Sequence, residues 1–119
     1  ALEQFAPYEN IYVDISAIQD IDGETTEAFP YPRCQKTVGL AKKILGAKRI
    51  IWGTDSPWSS TFNTYHQLAT WLENTDIFSQ AELEDVMYNN ANRIYFKPAN
   101  VEAAAKAEDP VYKKFKETH

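Results

Sequence analysis

The chain has 119 residues, 44% hydrophobic and 24% charged, a balance that suits one soluble globular domain or part of one. A net charge of -5 and a pI near 5.0 leave no basic stripe for phosphate neutralisation, so nucleic acid is excluded as an expected partner. Cys34 is the only cysteine, which rules out an intrachain disulfide and a cysteine-based zinc site, and no apolar run approaches the roughly 20 residues of a bilayer span, so a cytoplasmic location away from membranes is expected.

Residues 2–8 read as the tail of an amphipathic helix, and residue 1 is Ala rather than Met, so sequence upstream is expected. Over residues 10–16, Ile11, Val13 and Ile15 alternate with Tyr12, Asp14 and Ser16, the period of a β-strand in a β-rich composition. Residues 17–32 carry turn formers, scattered carboxylates and two prolines without a period, and predict a long connecting loop. Cys34, Val38, Ala41 and Leu45 then fall at helical spacing, with Gly46 as the stop, which predicts a helix over about 33–45. Residues 48–54 form a second predicted strand with apolar side chains on both faces, so both faces need cover. Strand, helical crossover and strand make a βαβ unit whose strands should be parallel.

A helix over about 63–73 is predicted from the stripe Tyr65, Leu68, Ala69 and Leu72, broadened by Trp71. Ser79 and Glu82 match a capping box for the next helix, whose apolar face is Leu83, Val86 and Met87. Residues 89–96 read as a helical or turn-plus-helix segment that Pro98 interrupts, and 97–119 as a charged surface tail broken near Asp109-Pro110.

Ligands collect at the carboxyl ends of parallel strands. Asp14 lies within the first strand, whereas Asp55 ends the second directly after Gly53-Thr54, which makes Asp55 the better candidate for chemistry. The bland alternative is capping, with Asp55 or Ser56 at the cap and Pro57 in the first helical position.

Residues 49–58, Arg-Ile-Ile-Trp-Gly-Thr-Asp-Ser-Pro-Trp, resemble the last barrel strand of the amidohydrolase-related family of metal-dependent hydrolases and decarboxylases, which ends in Gly-Thr-Asp followed by a proline. Residues 90–95, Asn-Ala-Asn-Arg-Ile-Tyr, resemble the Asn-Ala-x-Arg-Leu-Phe segment that closes the same barrel, and residues 10–16 resemble its seventh strand. The resemblance implies that residues 1–96 are the α/β, C-terminal βαβ-plus-helices fragment of a (β/α)8 TIM barrel, followed by a helical tail over 97–119. It implies a divalent metal, zinc by family habit, with Asp55 as metal ligand and general base. The activity implied for the whole protein is hydrolysis of a C–N or C–O bond, or decarboxylation, of a small-molecule substrate. The family's other ligands, a His-x-His pair and histidines on strands five and six, have no counterpart here, so the isolated chain is expected to be inactive. Open sheet edges favour a homo-oligomer or association with the missing N-terminal portion.

Trp58, on the loop after Asp55, is a candidate substrate contact, while Trp52 and Trp71 read as buried wall residues. His66 lacks a neighbouring ligand at helical spacing and reads as solvated or partly packed; His119 ends the chain. Cys34 reads as a small core residue. Asp20, Asp22, Glu24 and Glu27 lack the register of a calcium loop and read as a solvated segment. Arg93 reads as an internal pairing or capping residue. A reading of another class is a noncatalytic α/β interaction module whose sheet edge and helices build an oligomer.

Overall fold

The computed structural model describes residues 1–20, 27–98, 114, 117 and 118. The alternation around Val13 and the apolar run around Ile50 produce two parallel strands, β1 (Val13–Asp14) and β2 (Ile50–Ile51), with Val13 opposite Ile50 and Asp14 opposite Ile51. The parallel pairing is as expected; the strands are shorter than residues 10–16 and 48–54. A ladder lasts only while a partner runs alongside, and here it closes with the amide of Ile15 donating to the carbonyl of Ile51 at 2.9 Å. The next amide of the second segment, that of Trp52, donates instead to the carbonyl of Val86 at 3.1 Å. At its entry β2 is limited by a 3₁₀ turn, Ala47–Arg49.

The crossover is α1 (Pro32–Leu45), which buries Cys34, Val38, Ala41 and Leu45 as their spacing predicts. It begins one residue earlier than expected, because proline at the first position has the right φ and lacks only an amide that no helical carbonyl would receive. It ends at Gly46, whose φ of 82° is open to a residue without Cβ.

The third segment is shorter than predicted: α2 spans Tyr65–Thr70 and opens with a capping box in which Thr64 and Gln67 satisfy each other's exposed amides. It buries Leu68, and Trp71 and Leu72 just beyond its end are buried too, while Tyr65 faces solvent in the first turn, contrary to its expected place on that stripe. The Ser79–Glu82 capping box forms as read, starting α3 (Gln80–Glu84). A π-helical turn, Asp85–Asn89, joins it to α4 (Asn90–Tyr95). The extra residue in that turn lies where Val86 serves the strand amide of Trp52, so this helix also covers the edge of β2.

Ile15, Val38, Ile50, Leu72 and Val86 belong to the core between these elements. Trp71 is buried; Trp52 is only partly so, and its buried indole Nε1 finds no acceptor among the described residues. Residues 2–8, expected as a helix tail, contain a 3₁₀ turn, Leu2–Phe5. Arg49 fastens this segment, donating to the carbonyls of Phe5, Ala6, Tyr8 and Ile11 at 2.7 to 2.9 Å. The tail predicted over 97–119, with Asp109-Pro110 and His119, lies almost wholly outside the described residues.

Candidate functional site

Because β1 and β2 run parallel and in register, the residues that leave their carboxyl ends emerge side by side. After β1, the Asp14 carboxylate accepts from the Ser16 amide at 2.8 Å through Oδ1, and the Ser16 hydroxyl donates to the same oxygen. After β2, Gly53 passes so close to this pair that a Cβ there would lie 2.6 Å from Ser16 Oγ and 3.7 Å from Asp14 Oδ1. A Cβ at this position would displace the Ser16 side chain, and the glycine brings the chain leaving β2 across the end of β1.

Two residues on, Asp55 takes a left-handed backbone, φ 53°, a conformation that aspartate tolerates better than most residues. Ser59 holds it at both ends. Its amide donates to the Asp55 carbonyl at 3.0 Å, and its hydroxyl donates to Asp55 Oδ2 at 3.2 Å. Ser59 is fully buried, whereas Asp55 is exposed. The capping geometry differs from the expected one: Pro57 precedes the short 3₁₀ helix, Ser59–Thr61, and does not occupy its first position. Asp55 closes the turn onto Ser59 instead.

Asn63 continues the chain of contacts. Its amide and its Nδ2 reach the Ser59 carbonyl at 3.1 and 3.3 Å, and its Oδ1 accepts from the Tyr31 hydroxyl at 2.7 Å. Tyr31 is buried, edge-to-face with Trp71 at 5.9 Å, and burial first, then the neighbouring Cys34, raises its pKa, so the phenol keeps the proton it donates. Sequence reasoning nominated none of Tyr31, Ser59 and Asn63. The only signal it offered was a serine four residues after the aspartate.

Trp58 is 63% exposed on the loop after Asp55, with Phe62 edge-on at 6.4 Å and 61% exposed. Phe62 was not singled out by sequence. His66 is exposed on α2, as expected.

Glu27 departs from its expected solvated state. Its carboxylate is buried and accepts from the amides of Arg33 and Cys34 at 2.7 and 3.0 Å and from the Cys34 thiol at 3.2 Å. It caps α1 from outside the helix, a role that Tyr31, at the cap position, does not take with its side chain. Burial is the largest influence and pushes the Glu27 carboxyl up, but the Arg33 amide, the Cys34 thiol and the Cys34 amide together draw it below the ordinary 4.5. Burial, with the Glu27 hydrogen bond and charge, pushes the Cys34 thiol up to about 12, which fits a core residue. Of the other loop carboxylates, Asp20 is half-buried in a 3₁₀ turn, and Asp22 and Glu24 lie outside the described residues.

The 90–95 segment works at the opposite end of β2. The buried Asn90 donates through Nδ2 to the carbonyls of Ala47 and Ile50 at 2.7 and 2.8 Å, and Arg93 donates to the Lys48 carbonyl at 2.8 Å. These residues clamp the entry of β2, which agrees with the capping role read for Arg93.

Among the described residues no group of three or more His, Cys, Asp or Glu is placed to hold a metal ion. A catalytic zinc takes three protein ligands, so the described residues do not make a complete cage. A family profile described as Amidohydrolase matches residues 1–97. No curated protein and no solved structure matches the chain.

Proposed function

Because this chain belongs to the amidohydrolase family, whose members are in general divalent-metal enzymes on TIM barrels, we propose that it is the C-terminal βαβ-plus-helices part of such a barrel. In that reading Asp55 is the carboxylate contributed to a metal site in the whole protein, which hydrolyses or decarboxylates a small molecule. The observation that carries it is the position of Asp55 four residues beyond the carboxyl end of β2, on the chain that Gly53 brings beside the end of β1, with Oδ2 held by Ser59 and the side chain open to solvent. A bound divalent ion, zinc by family habit, supplies an acidified water. Asp55 is suited to bind the ion and to take a proton, since Ser59 engages Oδ2 and leaves Oδ1 to be presented. Trp58 with Phe62 offers an aromatic wall for an apolar part of the substrate.

The test compares the whole protein with its Asp55→Asn variant on a panel of amides, esters and carboxylates, with metal content measured in parallel. Loss of roughly 10²-fold or more in turnover is expected on removal of a general base. Turnover equal to that of the parent removes Asp55 from the mechanism.

A second reading, an oligomerisation or interaction module, draws on the two-stranded sheet, where β1 and β2 have no strand partners but each other among the described residues. It also draws on exposed Phe5, Tyr12, Leu40 and Phe96. Open strand edges and exposed apolar side chains suit docking of the missing N-terminal portion or a second copy. No described helix is long and apolar enough to cross a membrane; a cytoplasmic location is part of the proposal.

A further inference from the structure

We infer that Ser59 and Asn63, on the segment that follows β2, and Tyr31, at the end of the connection that follows β1, are positioning residues that fix the side-chain rotamer of Asp55. The inference rests on the reading of Asp55 as the metal-site carboxylate, and it explains how an exposed carboxylate can present one oxygen in a constant direction.

Ser59 carries the first link. One residue grips Asp55 by both main chain and side chain, through its amide to the carbonyl and its hydroxyl to Oδ2. Because Ser59 is fully buried, its hydroxyl cannot exchange this acceptor for bulk water without moving the turn. Rotation of the carboxylate therefore breaks a bond that water does not replace on the serine side.

Asn63 carries the second link, and its two ends set the direction of the relay. Nδ2 donates to the Ser59 carbonyl, while Oδ1 accepts from the Tyr31 hydroxyl. Tyr31 carries the third. It is the last residue before α1, is buried, and is packed edge-on between Phe29 at 5.6 Å and Trp71 at 5.9 Å. Its ring is fully buried against Trp71, so the hydroxyl is referenced to the core and not to the surface. The sequence Tyr31 to Asn63 to Ser59 to Asp55 thus ties the connection after β1 to the connection after β2, and any displacement of the first loosens the second.

The experiment uses the 119-residue chain, with the three-bond couplings from Asp55 ¹³Cγ to its amide nitrogen and carbonyl carbon reporting the χ1 rotamer. The parent chain should show one rotamer. Ser59→Ala should average the couplings over rotamers, with the amide spectrum of the core elements unchanged. Ser59→Cys, which keeps a donor of similar size, should return them toward the parent values, and Tyr31→Phe, which removes only the outer hydroxyl, should give a smaller change in the same direction. Parent couplings in Ser59→Ala, or averaged couplings in the parent chain, would overturn the inference. If Ser59→Ala does not fold, Tyr31→Phe and Asn63→Ala decide by the same criterion. Failure of the metal reading is separable, because it appears as unchanged turnover in Asp55→Asn and leaves these couplings as they are.

Discussion

A buried carboxylate ordinarily becomes harder to ionise, and Glu27 shows how three donors reverse that tendency. Its folded pKa lies below the ordinary 4.5, so its contribution to stability is fully present above about that pH and is lost as pH falls through the lower folded value. Urea midpoints measured from pH 7 down to pH 3 should therefore drop more in the parent than in Glu27→Gln, which has no proton to gain. At neutral pH, Glu27→Gln should itself destabilise by about 1–3 kcal/mol, because a neutral amide cannot accept at both former oxygens while the Arg33 and Cys34 amides stay in place. Cys34 gives a second expectation at this scale. With its thiol pushed up to about 12 and its side chain buried, labelling by an aromatic disulfide at pH 8 should proceed no faster than unfolding, and should become immediate in denaturant.

The helix that runs from α3 through the π turn to α4 is held to β2 by polar groups as much as by its apolar face. Asn90 serves two carbonyls at the entry of the strand, so Asn90→Leu should lower stability by about 2–4 kcal/mol, since both acceptors would be left without this donor. Thermal or urea unfolding measures it, with Arg93→Met at the more exposed Lys48 carbonyl as the milder comparison. At the other end of β2, Gly53→Ala should cost about 1–3 kcal/mol through its contact with Ser16. In a Ser16→Gly background that loss should shrink, and a double-mutant cycle reads the difference. The capping box at Ser79 was legible because both partners are three residues apart in sequence. The equivalent box at Thr64 has the same spacing, with Gln67 in place of the glutamate.

For the molecule as a whole, a sheet of two strands among the described residues, together with exposed aromatic and aliphatic side chains, leads us to expect that the 119-residue chain self-associates. Sedimentation velocity from about 10 µM to 1 mM should show a concentration-dependent increase in mass, and a constant monomer would count against it. Zinc titration of this chain should give no stoichiometric site, since among the described residues no three His, Cys, Asp or Glu are grouped to hold an ion.

The crossover helix and the buried stripe of α1 were determined by local sequence, because each depends on residues that are neighbours or lie on one helical face, and the parallel pairing followed from the strand–helix–strand order. The lengths of the strands were decided only by the tertiary structure, since the ladder stops where the amide of Trp52 turns to Val86, far along the chain. So was the inward turn of Glu27, whose partners sit six and seven residues away across a loop without a period. The contact from Tyr31 to Asn63 spans 32 positions, and no periodicity encodes it. Sequence patterns report which residues want burial or a partner; only the closed fold chooses the partner, because the choice is made by atoms that meet in space.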